Sequence, residues 1–91
     1  MKIQAEVSLF PLRTSNLSKP IERFLQVLKH SDLEIFSGPM STHVTGDSDT
    51  VFTALGSAFT CIADEYKVVM SAKISNACPK EASGNYRSLI S

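Results

Sequence analysis

The side chains of this 91-residue chain with chemistry to offer fall mainly in three short stretches. Glu6 and Ser8 lie in Glu6-Val7-Ser8-Leu9-Phe10. Ser41, Thr42 and His43 follow Gly38-Pro39-Met40, and Ser75-Asn76 precedes Ala77-Cys78-Pro79. A carboxylate and an imidazole such as Glu6 and His43 can act as an acid/base pair once a fold brings them together. The plainer expectation for such a pair on a sheet is a salt bridge open to water. The hydroxyls and the amide can orient a polar ligand or simply close turns. Motifs of more specific chemistry are missing: there is no nucleophile elbow, no glycine-rich phosphate cradle and no His-Glu-x-x-His. The two cysteines, Cys61 and Cys78, make neither a Cys-x-x-Cys nor a disulfide framework, which suits a reduced chain in the cytoplasm. His30, His43, Cys61 and Cys78 fall in separate elements, so no metal site is expected.

Those residues are positioned by alternating and helical patterns. From Lys2 to Phe10, Ile3, Ala5, Val7 and Leu9 take one parity, and Gln4, Glu6, Ser8 and Phe10 take the other. Period 2 predicts a half-buried strand, which Pro11 should end. Ser18 is the expected cap of a helix carrying Pro20 in its first turn, with Ile21, Phe24, Leu25 and Leu28 at helical spacing up to His30–Ser31. A short strand over Leu33–Ser37 turns at Gly38-Pro39 into a second over Met40–Thr45, broken by Gly46. Asp47, Ser48 or Asp49 should cap another helix with an apolar stripe of Val51, Phe52, Leu55, Phe59 and Ile62. The last strand is expected over Tyr66–Ser75, with Val68, Met70, Ala72 and Ile74 facing inward. The polar tail, 80–91, is set apart from a single domain over 1–79.

Strand, helix, strand, strand, helix, strand predicts an α+β ferredoxin-like βαββαβ sandwich: a four-stranded antiparallel sheet with two helices on one face. The first and third strands become central. Glu6, Ser8, Ser41 and His43 then share the open face, Ser71 and Lys73 lie alongside Glu6, and Lys73 is the expected cross-strand ion-pair partner of Glu6. Thr42 has helix-facing parity.

The chain carries 9 basic and 9 acidic residues, so no net field attracts a polyphosphate and nucleic acid is not the expected partner. Hydrophobic residues at 43% against 20% charged place it among globular chains rather than disordered ones. Lys2, Gln4 and Glu6 interrupt any signal-like apolar run, and no apolar run approaches the roughly 20 residues a membrane span needs. Neither a membrane association nor a leader is expected.

Three segments together resemble the thiamine-binding YkoF-like family: Glu6-Val7-Ser8-Leu9-Phe10-Pro11-Leu12, Gly38-Pro39-Met40-Ser41-Thr42 with Gly46-Asp47, and Ile74-Ser75-Asn76-Ala77-Cys78-Pro79. The resemblance covers residues 2–79 and implies the same ferredoxin-like fold. It also implies homodimers or homotetramers built through the open sheet faces, and non-enzymatic binding of thiamine or its hydroxymethylpyrimidine moiety as ligand, with no cofactor. On that chemistry, Glu6 accepts from the ligand's amine or balances its cation. Ser8, Ser41, Thr42, His43, Ser75 and Asn76 complete its hydrogen bonds, and Phe10 stacks. The lack of a basic cluster favours an unphosphorylated ligand. Two alternatives stand beside this reading: an interaction module whose open face is only an oligomer seam, and a small dimeric α+β barrel enzyme using Glu6 and His43.

Overall fold

A computed structural model describes residues 1–38 and 41–77; Pro39, Met40 and 78–91, which include Cys78, Pro79 and the expected tail, lie outside the described residues. The elements run β1 (Lys2–Leu12), α1 (Ser18–Lys29), β2 (Glu34–Ser37), β3 (Thr42–Asp47), α2 (Ser48–Ala63) and β4 (Lys67–Ser75). The sheet order is β2-β3-β1-β4 and every pairing is antiparallel. The expected ferredoxin-like sandwich is thus the observed one.

The alternation of β1 sets the layers. Ile3, Ala5 and Val7 are buried with Val44 of β3 beneath Phe24 and Leu28 of α1 and Val51, Ala54, Leu55, Ala58 and Ile62 of α2. Burying each large aliphatic side chain contributes about 1.5–3 kcal/mol, so this one seam dominates stability. An ion pair between Arg23 and Glu65 ties α1 to the turn after α2.

Several boundaries differ from the sequence expectation, each for a local reason. Pro11 does not end β1; it pairs with Val68 of β4. Pairing with β3 has already stopped at Val7, and a strand with one neighbour tolerates a missing N–H. The chain turns at Arg13, whose φ of 57° is left-handed. Ser18 is the first helical residue rather than the cap; Asn16 Oδ1 accepts from Lys19 N at 3.3 Å and from Ser18 Oγ. Gly46 does not break β3 but pairs with Ile3. A Cβ there would lie 2.5 Å from Leu33 Cδ2, so glycine permits a close approach inside the ladder. Phe52 of the expected stripe is 57% exposed, and Ala54 and Ala58 line the buried face instead. In β4, Ala72 and Ile74 have the expected parity but are exposed, because the helices leave that end of the edge strand uncovered.

Asp47 caps α2: its Oδ2 accepts from Asp49 N at 3.2 Å. The N-terminal ammonium hydrogen-bonded to it, together with the Asp49 N–H, holds its carboxyl below the ordinary value of 3.8. A depressed folded-state pKa contributes stability that is present above the unfolded value and lost as pH falls through the folded one. Asp47→Ala should therefore lower Tm at neutral pH, and the gap to the parent chain should narrow below about pH 4. Thermal melts across that range check it; a gap that stays constant would contradict the charge contribution. Gly56 is exposed in the middle of α2, and a Cβ there would meet nothing within 4 Å. Gly56→Ala should stabilise the fold by about 0.5–1 kcal/mol in urea unfolding, since only the backbone-entropy difference acts.

Candidate functional site

Register arranges the open face in rows. Phe36 of β2, His43 of β3, Glu6 of β1 and Lys73 of β4 are successive cross-strand partners. Glu34, Thr45, Gln4 and Ser75 form the next row, and Phe10 pairs with Val69 further along. Polar side chains thus occupy the middle of the face, while Phe10, Phe36 and Val69 stand exposed around it.

Glu6 is the hub. Ser41 Oγ donates to Glu6 Oε2 at 3.2 Å, and His43 Nε2 lies 3.4 Å from the same oxygen. Both contacts use Oε2, so Oε1 carries no hydrogen bond from a described residue. The expected Glu6–Lys73 ion pair does not form although the two residues are in register. The carboxylate turns to β3, where a hydroxyl and an imidazole both reach its Oε2. The Glu6–His43 contact is about half open to solvent, so its direct contribution to stability is small, under about 1 kcal/mol.

Beside this hub a cavity of about 240 Å³ is lined by Gln4, Ala5, Glu6, His43, Lys73, Ile74 and Ser75. Its end is held by the turn after β4. Gln4 Nε2 donates to the Ala77 carbonyl at 3.1 Å, and Ala77 N donates to Ser75 Oγ at 2.9 Å. The cavity offers a carboxylate, an imidazole, an amide and an ammonium within a volume suited to one substituted ring, somewhat below the roughly 300–1,000 Å³ of most small-molecule sites.

A second cavity of about 100 Å³ lies on the other side, where β1 passes under α1 and the β2–β3 hairpin. Val7, Ser8, Leu9, Ile21, Phe24 and Leu25 line it together with Ser37, Gly38, Ser41 and Thr42. The hairpin is closed by Gly38 N donating to the Ser41 carbonyl at 2.8 Å.

The structure therefore divides the residues singled out in the sequence. Glu6, His43 and Ser75 meet in the larger cavity, and Ser41 joins them through Glu6. Ser8 borders the smaller cavity, and Thr42, only 8% exposed, lies there with its helix-facing parity intact. Phe10 and Asn76 line neither. Gln4 and Lys73 also line the larger cavity; the sequence expectation gives Gln4 no ligand role and Lys73 only that of an ion-pair partner for Glu6. Their parity with Glu6 is the signal that could have found them. Phe36 needs the β2–β3 register, which the sequence does not carry. His30 binds the Gln26 carbonyl at the end of α1, and Cys61 lies on α2; among the described residues no three metal-ligating groups cluster.

This is a ferredoxin-like α+β domain with a cavity of mixed lining beside the Glu6 carboxylate on its exposed sheet face. The sequence profile of the family described as thiamine-binding protein matches residues 5–84, and the chain belongs to that family. It is 35% identical over 82 residues to a UPF0045 protein of Methanocaldococcus jannaschii, covering 88% of this chain and 82% of the relative. The crystal structure of that relative superimposes with a TM-score of 0.79, at 28% identity, covering 91% of this chain and 94% of the other. A Streptococcus pneumoniae protein gives a TM-score of 0.82 at 18% identity, over 96% and 99% of the two chains. A Thermotoga maritima protein, provisionally described as a thiamine biosynthesis/salvage protein, gives 0.79 at 14% identity, over 92% and 98%. The last two likenesses are of fold alone. No helix among the described residues is long and apolar enough to cross a membrane.

Proposed function

We propose that the chain is a non-enzymatic, homo-oligomeric cytoplasmic protein that binds thiamine or its hydroxymethylpyrimidine moiety on the open face of the sheet. One observation carries the reading: in a chain of the thiamine-binding protein family, a carboxylate on a central strand is oriented by Ser41 and His43 at the wall of a one-ring cavity. An aminopyrimidine presents an exocyclic amine to an acceptor and ring nitrogens to donors. Glu6 supplies the acceptor, and Gln4, Ser75 and His43 supply partners for the ring. The cavity's size favours the pyrimidine half as the part held most closely.

The exposed apolar side chains Phe10, Phe36 and Val69 support assembly through the same face. A second copy laid sheet to sheet would cover them and roof the cavity, giving a homodimer or, by further pairing, a homotetramer. The seam-only alternative accounts for the apolar rim but leaves the oriented carboxylate without a role. The enzyme alternative has its pair in place at 3.4 Å; turnover lost on replacing His43 would favour it.

Titration calorimetry with thiamine and with hydroxymethylpyrimidine tests the reading. Glu6→Gln keeps shape and volume and should weaken binding by about 10- to 150-fold, the loss of one charge-assisted hydrogen bond. Parent-like affinity in that variant would remove Glu6 from the site and move attention to the Thr42 cavity. Light scattering should give a dimer or larger, and Val69→Lys should weaken the assembly by bringing an ammonium from each copy into the seam. A monomer at tens of micromolar with ligand present would overturn the assembly.

A further inference from the structure

Lys73 stands opposite Glu6 in the β1–β4 register, and both line the same cavity. They do not neutralise one another. Glu6 is engaged on its far side by Ser41 and His43, and among the described residues Lys73 forms no ion pair. Both residues line the cavity, with the Glu6 carboxylate engaged toward β3 and Lys73 contributed by β4.

A ligand that satisfies both walls presents a hydrogen-bond donor to Glu6 and an anion to Lys73. A hydroxymethylated aminopyrimidine supplies only the donor. Thiamine supplies the donor but carries a fixed thiazolium cation, which on the β4 side would face a like charge. The phosphate monoester of the hydroxymethylpyrimidine supplies both, on one ring with one short substituent. Lysine is a compact point charge suited to a phosphate oxygen. A diphosphate would add negative charge for which the cavity has no arginine fork.

We propose that the open-face cavity takes the aminopyrimidine as its phosphate monoester, with Glu6 holding the amine and Lys73 the phosphate. This rests on the aminopyrimidine reading above. It reverses the sequence expectation of an unphosphorylated ligand, because the relevant cation comes from β4 rather than from a basic cluster.

Calorimetry of the full chain with the pyrimidine alcohol, its phosphate monoester, thiamine and inorganic phosphate tests it at low and at moderate salt. The monoester should bind about tenfold or more tighter than the alcohol or thiamine, as a charge-assisted contact implies, and the ratio should shrink as salt screens it. In Lys73→Met the monoester-to-alcohol ratio should collapse towards one, and Lys73→Arg should restore most of it. Lys73 is exposed, so circular dichroism and Tm of the variants should match the parent chain. A monoester no tighter than the alcohol or thiamine, or a preference that survives Lys73→Met, overturns this inference and leaves the aminopyrimidine reading standing. Absence of binding by the alcohol, the monoester and thiamine alike overturns both. Binding of inorganic phosphate as tightly as the monoester overturns the shared site.

Discussion

Burial of one face of β1 is the constraint on which the rest of the structure depends. Ile3, Ala5 and Val7 are sealed under both helices, and a strand's side chains alternate strictly between faces. Gln4, Glu6 and Ser8 therefore have no choice but the open face. A slip of one residue would bury a carboxylate and expose the core seam, so the register is held by the whole hydrophobic term. The position of Glu6 at the middle of the sheet follows from core packing, before any ligand is considered.

The central strand also decides what Glu6 can touch. With β3 on one side and β4 on the other, its carboxylate has two directions open to it. On the β3 side a hydroxyl and an imidazole reach the same oxygen. On the β4 side there is one flexible lysine, whose immobilisation would cost side-chain entropy for a single exposed pair. Two partners outweigh one, and Lys73 is left without an ion pair among the described residues. A sheet can in this way build a bipolar recess from three adjacent strands without any loop insertion.

Membership of the thiamine-binding protein family and the likeness in fold to proteins of 14–28% identity point the same way. What these relatives share over nearly the whole chain is the sandwich, and the sandwich leaves one sheet face uncovered. The exposed Phe10, Phe36 and Val69 lie on that face, and Phe52 lies outward on α2. Phe36 ends the carboxylate row on β2, and Phe10 and Val69 pair further along the same face; Phe52 belongs to the helix layer.

The element order, the two central strands and the faces of Glu6, Thr42 and His43 were legible in the sequence alone, because strand alternation and helical spacing are local patterns enforced by burial. Even Thr42 kept the parity its position assigns, and it lies away from Glu6 for that reason. Tertiary structure decided what depends on neighbours distant in the chain. Pro11 continues β1 because pairing with β3 has already stopped at Val7, and Gly46 stays in its ladder, where its missing Cβ leaves room for Leu33. Ile74 is exposed because the helices stop short of that end of β4. Likewise, sequence places Glu6 between His43 and Lys73, but only the competition between two sets of partners sends it to His43 and leaves Lys73, at the cavity wall, without an ion pair among the described residues. Such a choice is a difference between similar weak interactions, set by geometry on a scale of ångströms, and no local pattern of residues encodes it.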